Sequence, residues 1–159
     1  MIVIKKNPNG DTRTAPKDVT FEQFHEANDM HRRDGRAVMR ELAGKLTEAG
    51  ITHDFTKKSQ ERMFYNDFLF SVNQGANFAL SGWYQLHVMA ERHHLLANCP
   101  KDVNLIDVLE MLVDCVCAGI ARSGEVREIE LTDDILHLAV NNTVDLIKSM
   151  IVVSEVRDA

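Results

Sequence analysis

From residue 20 onward the apolar residues recur at helical spacing. Val38, Leu42 and Leu46 stand four apart, and Met63, Phe64, Phe68 and Leu69 form a second stripe. Leu105, Leu109, Leu112, Val113, Val116 and Ile120 form a third, broad enough to predict a buried helix. Capping residues punctuate these stripes. Thr20 to Gln23 has the form of a capping box, with Val19 and Phe24 placed as a hydrophobic staple. It starts a helix toward Arg33, which Asp34-Gly35 is expected to break or kink. The next helix ends at Gly50, a good residue for the position after a helix. Ser59 is expected to cap a helix to about Val72, Ser81 one to Ala97, Asn104 one to Arg122 and Thr132 one to about Val153. Residues 1–19 differ. Met1 to Lys5 reads as a short strand and Asn7-Pro8-Asn9-Gly10 as a turn, so an N-terminal hairpin or arm is expected. The pattern predicts an all-α, single-domain bundle of five or six helices over residues 20–159.

Composition narrows the function. A chain of 159 residues can bury one core. Its formal charge of −6 argues against nonspecific nucleic acid binding, which needs a basic stripe, while a local basic pocket stays open. No apolar run is long enough to span a bilayer, and no secretory signal pattern is visible. A cytoplasmic protein without a membrane partner is therefore expected, and a homo-oligomer is left open. The three cysteines, Cys99, Cys115 and Cys117, are odd in number, and on a helix Cys115 and Cys117 point about 200° apart. They are expected to be reduced, buried thiols.

The candidate chemistry centres on His53-Asp54. Neighbours on a regular helix point about 100° apart, so the two can serve one ion only at a corner of the backbone. On the 105–122 helix, Asp107, Glu110 and Asp114 share one edge. Asp107 is close enough to the N-terminus to complement the helix dipole, and Asp114 is not. A carboxylate in that apolar setting needs either a cationic partner or a metal. Trp83, His87, Glu91 and His94 share a face of the preceding helix, with His93 about 100° away. Neutral imidazoles with carboxylates suit zinc, manganese, iron, cobalt or nickel, and magnesium less well. Lys57, Lys58, Arg92 and Arg122 are candidate phosphate binders, with Lys58 read as plain surface charge.

The ordered set His31, His53-Asp54 and Asp114 resembles the H…HD…D pattern of the HD-domain metal-dependent phosphohydrolases. His53-Asp54-Phe55-Thr56-Lys57 is similar to that family's HD-x-x-K form. His87 with His93-His94 resembles an H-x5-HH element of an uncharacterised bacterial and bacteriophage branch. The resemblance covers roughly residues 25 to 122. It implies an HD-like helical fold, with His31, His53, Asp54 and Asp114 as metal ligands and His25 as the rival first ligand. It also implies hydrolysis of a small nucleotide or related phosphate ester in the cytoplasm, the host's if phage-encoded. Asp54 would orient or deprotonate water, and Lys57 with His87 or His94 would stabilise developing charge. His94 rather than His93 is expected to face the cavity.

Three rivals share parts of this pattern. Pyrophosphatases of the MazG type use E-x-x-E and E-x-x-D helices, and Glu110 to Asp114 is one residue out of that spacing. Di-iron bundles use E-x-x-H pairs, a form that Glu22–His25 and Glu91–His94 share. The third rival is a non-catalytic interaction or nucleotide-binding protein that retains an HD-like fold.

Overall fold

In the computed structural model, which describes residues 1–154, the chain is all-α apart from two short strands. Strand β1 (Ile2–Lys5) is followed by helices α1 (Phe21–Thr52), α2 (Phe55–Ser59), α3 (Glu61–Gln74), α4 (Gly82–Ala90), α5 (Leu105–Ser123) and α6 (Asp133–Ser149), then by strand β2 (Ile151–Ser154). Among the described residues, no helix is long and apolar enough to cross a membrane.

Several caps are formed as the sequence predicts. The Thr20 amide donates to the Gln23 side chain and the Gln23 amide to the Thr20 hydroxyl, which closes the box at the head of α1. Asn104 and Asp107 form the corresponding box on α5, and Gly124 ends that helix in the left-handed region at φ 77°. The Ile135 amide donates to the Thr132 hydroxyl at the start of α6.

Other boundaries differ. Asp34-Gly35 does not interrupt α1. A single glycine costs a helix interior only about 1 kcal/mol, and α1 continues past Gly50 to Thr52. Ser59 ends α2 rather than capping α3, whose first turn follows Gln60 without a side-chain cap. β1 forms no hairpin. It pairs in parallel with β2, Ile2 opposite Ile151 and Lys5 opposite Ser154. The residues expected to extend the last helix to Val153 are thus a strand.

The chain divides into two compact units. The first comprises Met1–Lys45 with the chain from Val144 on. It holds the two-stranded sheet, most of α1 and a cavity of about 610 Å³ lined in part by Met30, His31, Asp34 and Leu42. The second, Leu46–Thr143, has a core of Leu95, Val103, Val108, Met111 and Ala139. The Leu105 amide donates to Thr143 Oγ1 at 2.8 Å, fastening the start of α5 to α6 within this unit. Helix α5 is buried along one side only. Val108 and Met111 face the core, whereas Leu109, Val113 and Ile120 are exposed. The three thiols are free as expected, yet Cys99 and Cys117 are exposed and Cys115 is half-buried, so none is the buried thiol the apolar run suggests.

Candidate metal centre

The His53-Asp54 corner is built by a break in the backbone. α1 ends at Thr52, and Asp54 takes φ 56°, ψ 30° before α2 begins. Among the described residues it is the one non-glycine with positive φ. Aspartate tolerates that conformation better than most residues, though it is held there at a cost of roughly 1–2 kcal/mol. The turn brings two adjacent side chains toward one region, which a continuous helix would not do.

A second break supplies more ligands. α4 stops at Ala90, seven residues short of the expected Ala97, because Glu91 turns extended at φ −89°, ψ 125°. Its buried carboxylate accepts from the Thr56 amide at 2.7 Å and the Thr56 hydroxyl at 2.5 Å. These tertiary bonds outweigh one more helical turn. The chain then folds tightly through His93 and His94. Both histidines reach the centre, and His93, only 1% exposed, is the more deeply buried. The expectation that His94 alone would face it, based on a continuous helix, is corrected.

Two groups of side chains could each hold an ion: Asp54, His87, His93 and His94, and His53, His93 and Asp114. In the first group, Asp54 Oδ1 lies 3.6 Å from His87 Nε2 and 3.7 Å from His93 Nε2. Beside the second, His53 Nε2 lies 3.4 Å from Asp54 Oδ2 and 3.5 Å from Asp114 Oδ1. Ligand atoms placed tetrahedrally at 2.0–2.2 Å from one ion are about 3.4 Å apart. These separations are too long for hydrogen bonds and close to that figure. Asp54 Oδ1 and His93 Nε2 are both buried and have no hydrogen-bond partner. Orphaned polar atoms of this kind usually cost about 1–3 kcal/mol each, and a shared cation would satisfy both.

The ring tautomers are set for ligation. The Thr56 hydroxyl gives its proton to Glu91, so at 2.6 Å it must accept from His87 Nδ1–H. That leaves the lone pair of His87 on Nε2. Glu110 Oε1 accepts from Nδ1 of both His53, at 2.9 Å, and His93, at 3.1 Å, which frees their Nε2 atoms as well. A partner on the outer nitrogen is how proteins orient a ligating imidazole. The His87 ring also stacks on Trp83, with centroids 4.8 Å apart and planes 14° apart, and Trp83 stacks on Phe64. His94 donates its Nε2–H to the His87 Nε2 lone pair at 2.8 Å, a bond that an ion on His87 would replace.

The charge states agree with this arrangement. Burial, followed by the cations His93 and His87 would become, pushes His94 down to about 4. Burial and then Lys57 lower His87. Burial alone would raise Asp54, but the Lys57 ammonium on Oδ2 outweighs it and the net shift is downward. His53 is the exception. Burial would lower it, yet the Glu110 hydrogen bond with Asp54 and Asp114 holds its proton above the ordinary imidazole range.

That proton stabilises the metal-free fold below about pH 6.5, and the contribution is lost as pH rises through the raised value. An ion requires the neutral ring and competes with it. Zinc or manganese affinity is therefore expected to fall at least about tenfold between about pH 8 and pH 6. A competition titration with a chelating dye measures this, and an affinity flat across that window would remove His53 from the ligand set.

Other sequence candidates lie elsewhere. His31 is exposed on α1 in the first unit, about six turns before the end of that unbroken helix. It belongs to neither ligand group. His25 is also exposed in that unit, 3.3 Å from Asp29. Asp107 completes its cap and grips Arg92, whose Nε and Nη2 reach it at 2.7 and 2.8 Å. With Asp102 on its third nitrogen, Arg92 is committed to structure rather than to phosphate. Lys58 is exposed, as expected. The resemblance allowed His93 a place at a second ion or at the substrate, whereas Glu110, Glu91 and Thr56 were given no part in orienting the ligands. Glu110, an acid on the Asp114 edge of an apolar helix, and Glu91, between His87 and His94 on one helical face, both carried a signal there.

No family model, curated protein or solved structure matches this chain.

Proposed function

We propose that the protein is a metal-dependent phosphohydrolase of HD-like type, acting on a small nucleotide or a related phosphate ester. The observation that carries this reading is the pair of adjoining His/Asp groups, whose unpartnered His93 Nε2 and Asp54 Oδ1 suit a divalent transition metal. Zinc, manganese, iron, cobalt or nickel fits this mixed donor set better than magnesium does. Such an ion, when bound, polarises a phosphoryl oxygen and makes a water more acidic.

The chain's own groups have separate tasks. Asp54 presents one oxygen to His87 and His93 and the other to His53, and so lies between the two groups. It is placed to orient an attacking water and take its proton. Lys57, one turn further on, rests its ammonium against Asp54 and is placed to meet charge gathering on the phosphoryl group. His94, neutral near pH 7 and beside His87, is placed to donate a hydrogen bond to a leaving oxygen.

Metal analysis of purified protein and a panel of nucleotides with added manganese or cobalt test the proposal. Stoichiometric metal and turnover of at least one nucleotide, both abolished by a chelator and restored by the ion, are the expected results. Metal-replete protein inert toward the whole panel would favour the non-catalytic alternative, a nucleotide-binding or interaction protein with the same centre.

A further inference from the structure

A cleft of about 290 Å³ opens beside the ligand groups at the C-terminal end of α5. Asp114 and Cys115 line it at one end, and Arg122 and Arg127 also face it. Local backbone chemistry brings the two arginines together. Gly124, at φ 77°, reverses the chain after α5. Gly119 then lets the returning segment lie directly on the helix, since a Cβ there would stand 2.7 Å from the Glu125 carbonyl oxygen and 3.1 Å from Val126 Cα. The Ser123 hydroxyl, 3.1 Å from the Gly119 carbonyl and 3.2 Å from that of Glu125, supports the turn. Arg127 thereby shares a cleft with Arg122, five residues earlier.

Neither arginine has an ion-pair partner among the described residues. This sets them apart from Arg92, which Asp102 and Asp107 hold, and from Lys57, which Asp54 holds. Glu128 also lines the cleft and offsets one of the two charges. Asp114 has its Oδ1 turned toward His53 in the ligand group, and neither acid forms an ion pair with an arginine of the cleft. A second cleft, of about 310 Å³, borders His93 and His94 and is walled by Tyr84, Leu96 and Met111. The two clefts share Cys115 and Glu128, so a member of the ligand groups stands at the edge of each.

We propose that the Arg122–Arg127 cleft is an anion subsite holding a second phosphate of the substrate, so that compounds with a diphosphate or longer chain are preferred to those with a lone phosphate. This rests on the phosphohydrolase reading. One phosphoryl group lies at the His/Asp groups, the next is gripped by guanidinium groups suited to paired phosphate oxygens, and the Tyr84 cleft receives a flat, weakly polar moiety such as a base.

The test uses manganese-loaded full-length protein and two non-hydrolysable probes, methylenediphosphonate and methylphosphonate, titrated by calorimetry. Metal content is measured after each titration. The diphosphonate is expected to bind at least about tenfold more tightly, the scale of one charge-assisted hydrogen bond. The double variant Arg122→Gln/Arg127→Gln should lose that advantage while keeping its manganese and its methylphosphonate affinity. If the variant keeps the advantage, or the wild type shows none, the subsite is wrong. Arginine-dependent diphosphonate binding in both metal-free and metal-loaded protein, without methylphosphonate binding in either, would uphold the subsite and overturn the metal-centred reading. Binding of neither probe overturns both.

Discussion

Asp54→Asn should leave the protein folded and nearly metal-free. The side chain keeps its size, and asparagine is among the few residues at ease at φ 56°. What disappears is the negative charge that lies 3.4–3.7 Å from Nε2 of His53, His87 and His93. Removing an outer partner of a metal ligand typically lowers affinity or activity by 10- to 100-fold. Loss of a ligand placed between both groups should exceed that, so at least about a hundredfold loss of metal affinity and of any turnover is expected. Metal analysis after dialysis and a thermal melt read the two effects separately. Asp54→Ala should show the same metal loss with an added destabilisation of about 1 kcal/mol from the left-handed backbone, and Asp54→Gly should not. Stoichiometric metal in Asp54→Asn would remove this residue from the centre.

Glu110→Ala should weaken metal binding without removing a ligand. One carboxylate oxygen accepts from the Nδ1 atoms of both His53 and His93. Without it the two rings are free to exchange tautomers and to rotate, and a 10- to 100-fold loss of metal affinity is expected. Glu110→Gln retains an acceptor oxygen in the same place and should recover part of that loss. Nitrogen-detected NMR of the histidine rings separates positioning from a general structural effect. In the wild type His93 should carry its proton on Nδ1, and in Glu110→Ala it should show a mixture. Unchanged ring spectra alongside a full loss of metal would instead make Glu110 a ligand.

The corner at His53-Asp54 was legible in the sequence because it depends on a local event, the end of one helix two residues before the start of another. The caps at Thr20, Asn104 and Gly124 were legible for the same reason, since each needs only neighbours within a few residues. The end of α4 was not. Helical periodicity continues smoothly through Glu91 to His94, and what stops the helix is a hydrogen bond to Thr56, 35 residues earlier. The orientation of His93 is hidden as a direct result, because the helix whose period would point it away has already ended at Ala90. The role of Glu110 was hidden differently. It lies on the edge that carries Asp114, and nothing local reveals that two imidazoles from other segments meet it. His31 stood first in the ordered pattern, yet order along a chain does not establish convergence, and α1 carries His31 in a different compact unit from the ligand groups. The Ile151–Ser154 strand is not legible locally, because its partner is Ile2–Lys5, far away along the chain.

That last pairing bears on the order in which the molecule can assemble. During synthesis Ile2–Lys5 emerges well before its partner in the sheet, since Ile151–Ser154 follows only after nearly all the described chain. The segment Leu46–Thr143, which contains both ligand groups, is continuous and has the means to consolidate in the meantime. The first unit is assembled from two separated stretches, and its sheet is a long-range closure that must wait for translation to finish the second. The candidate ligand residues can therefore be in place while the N-terminal strand is still an unpaired edge. That interval is when the nascent chain is most open to pairing with the wrong partner.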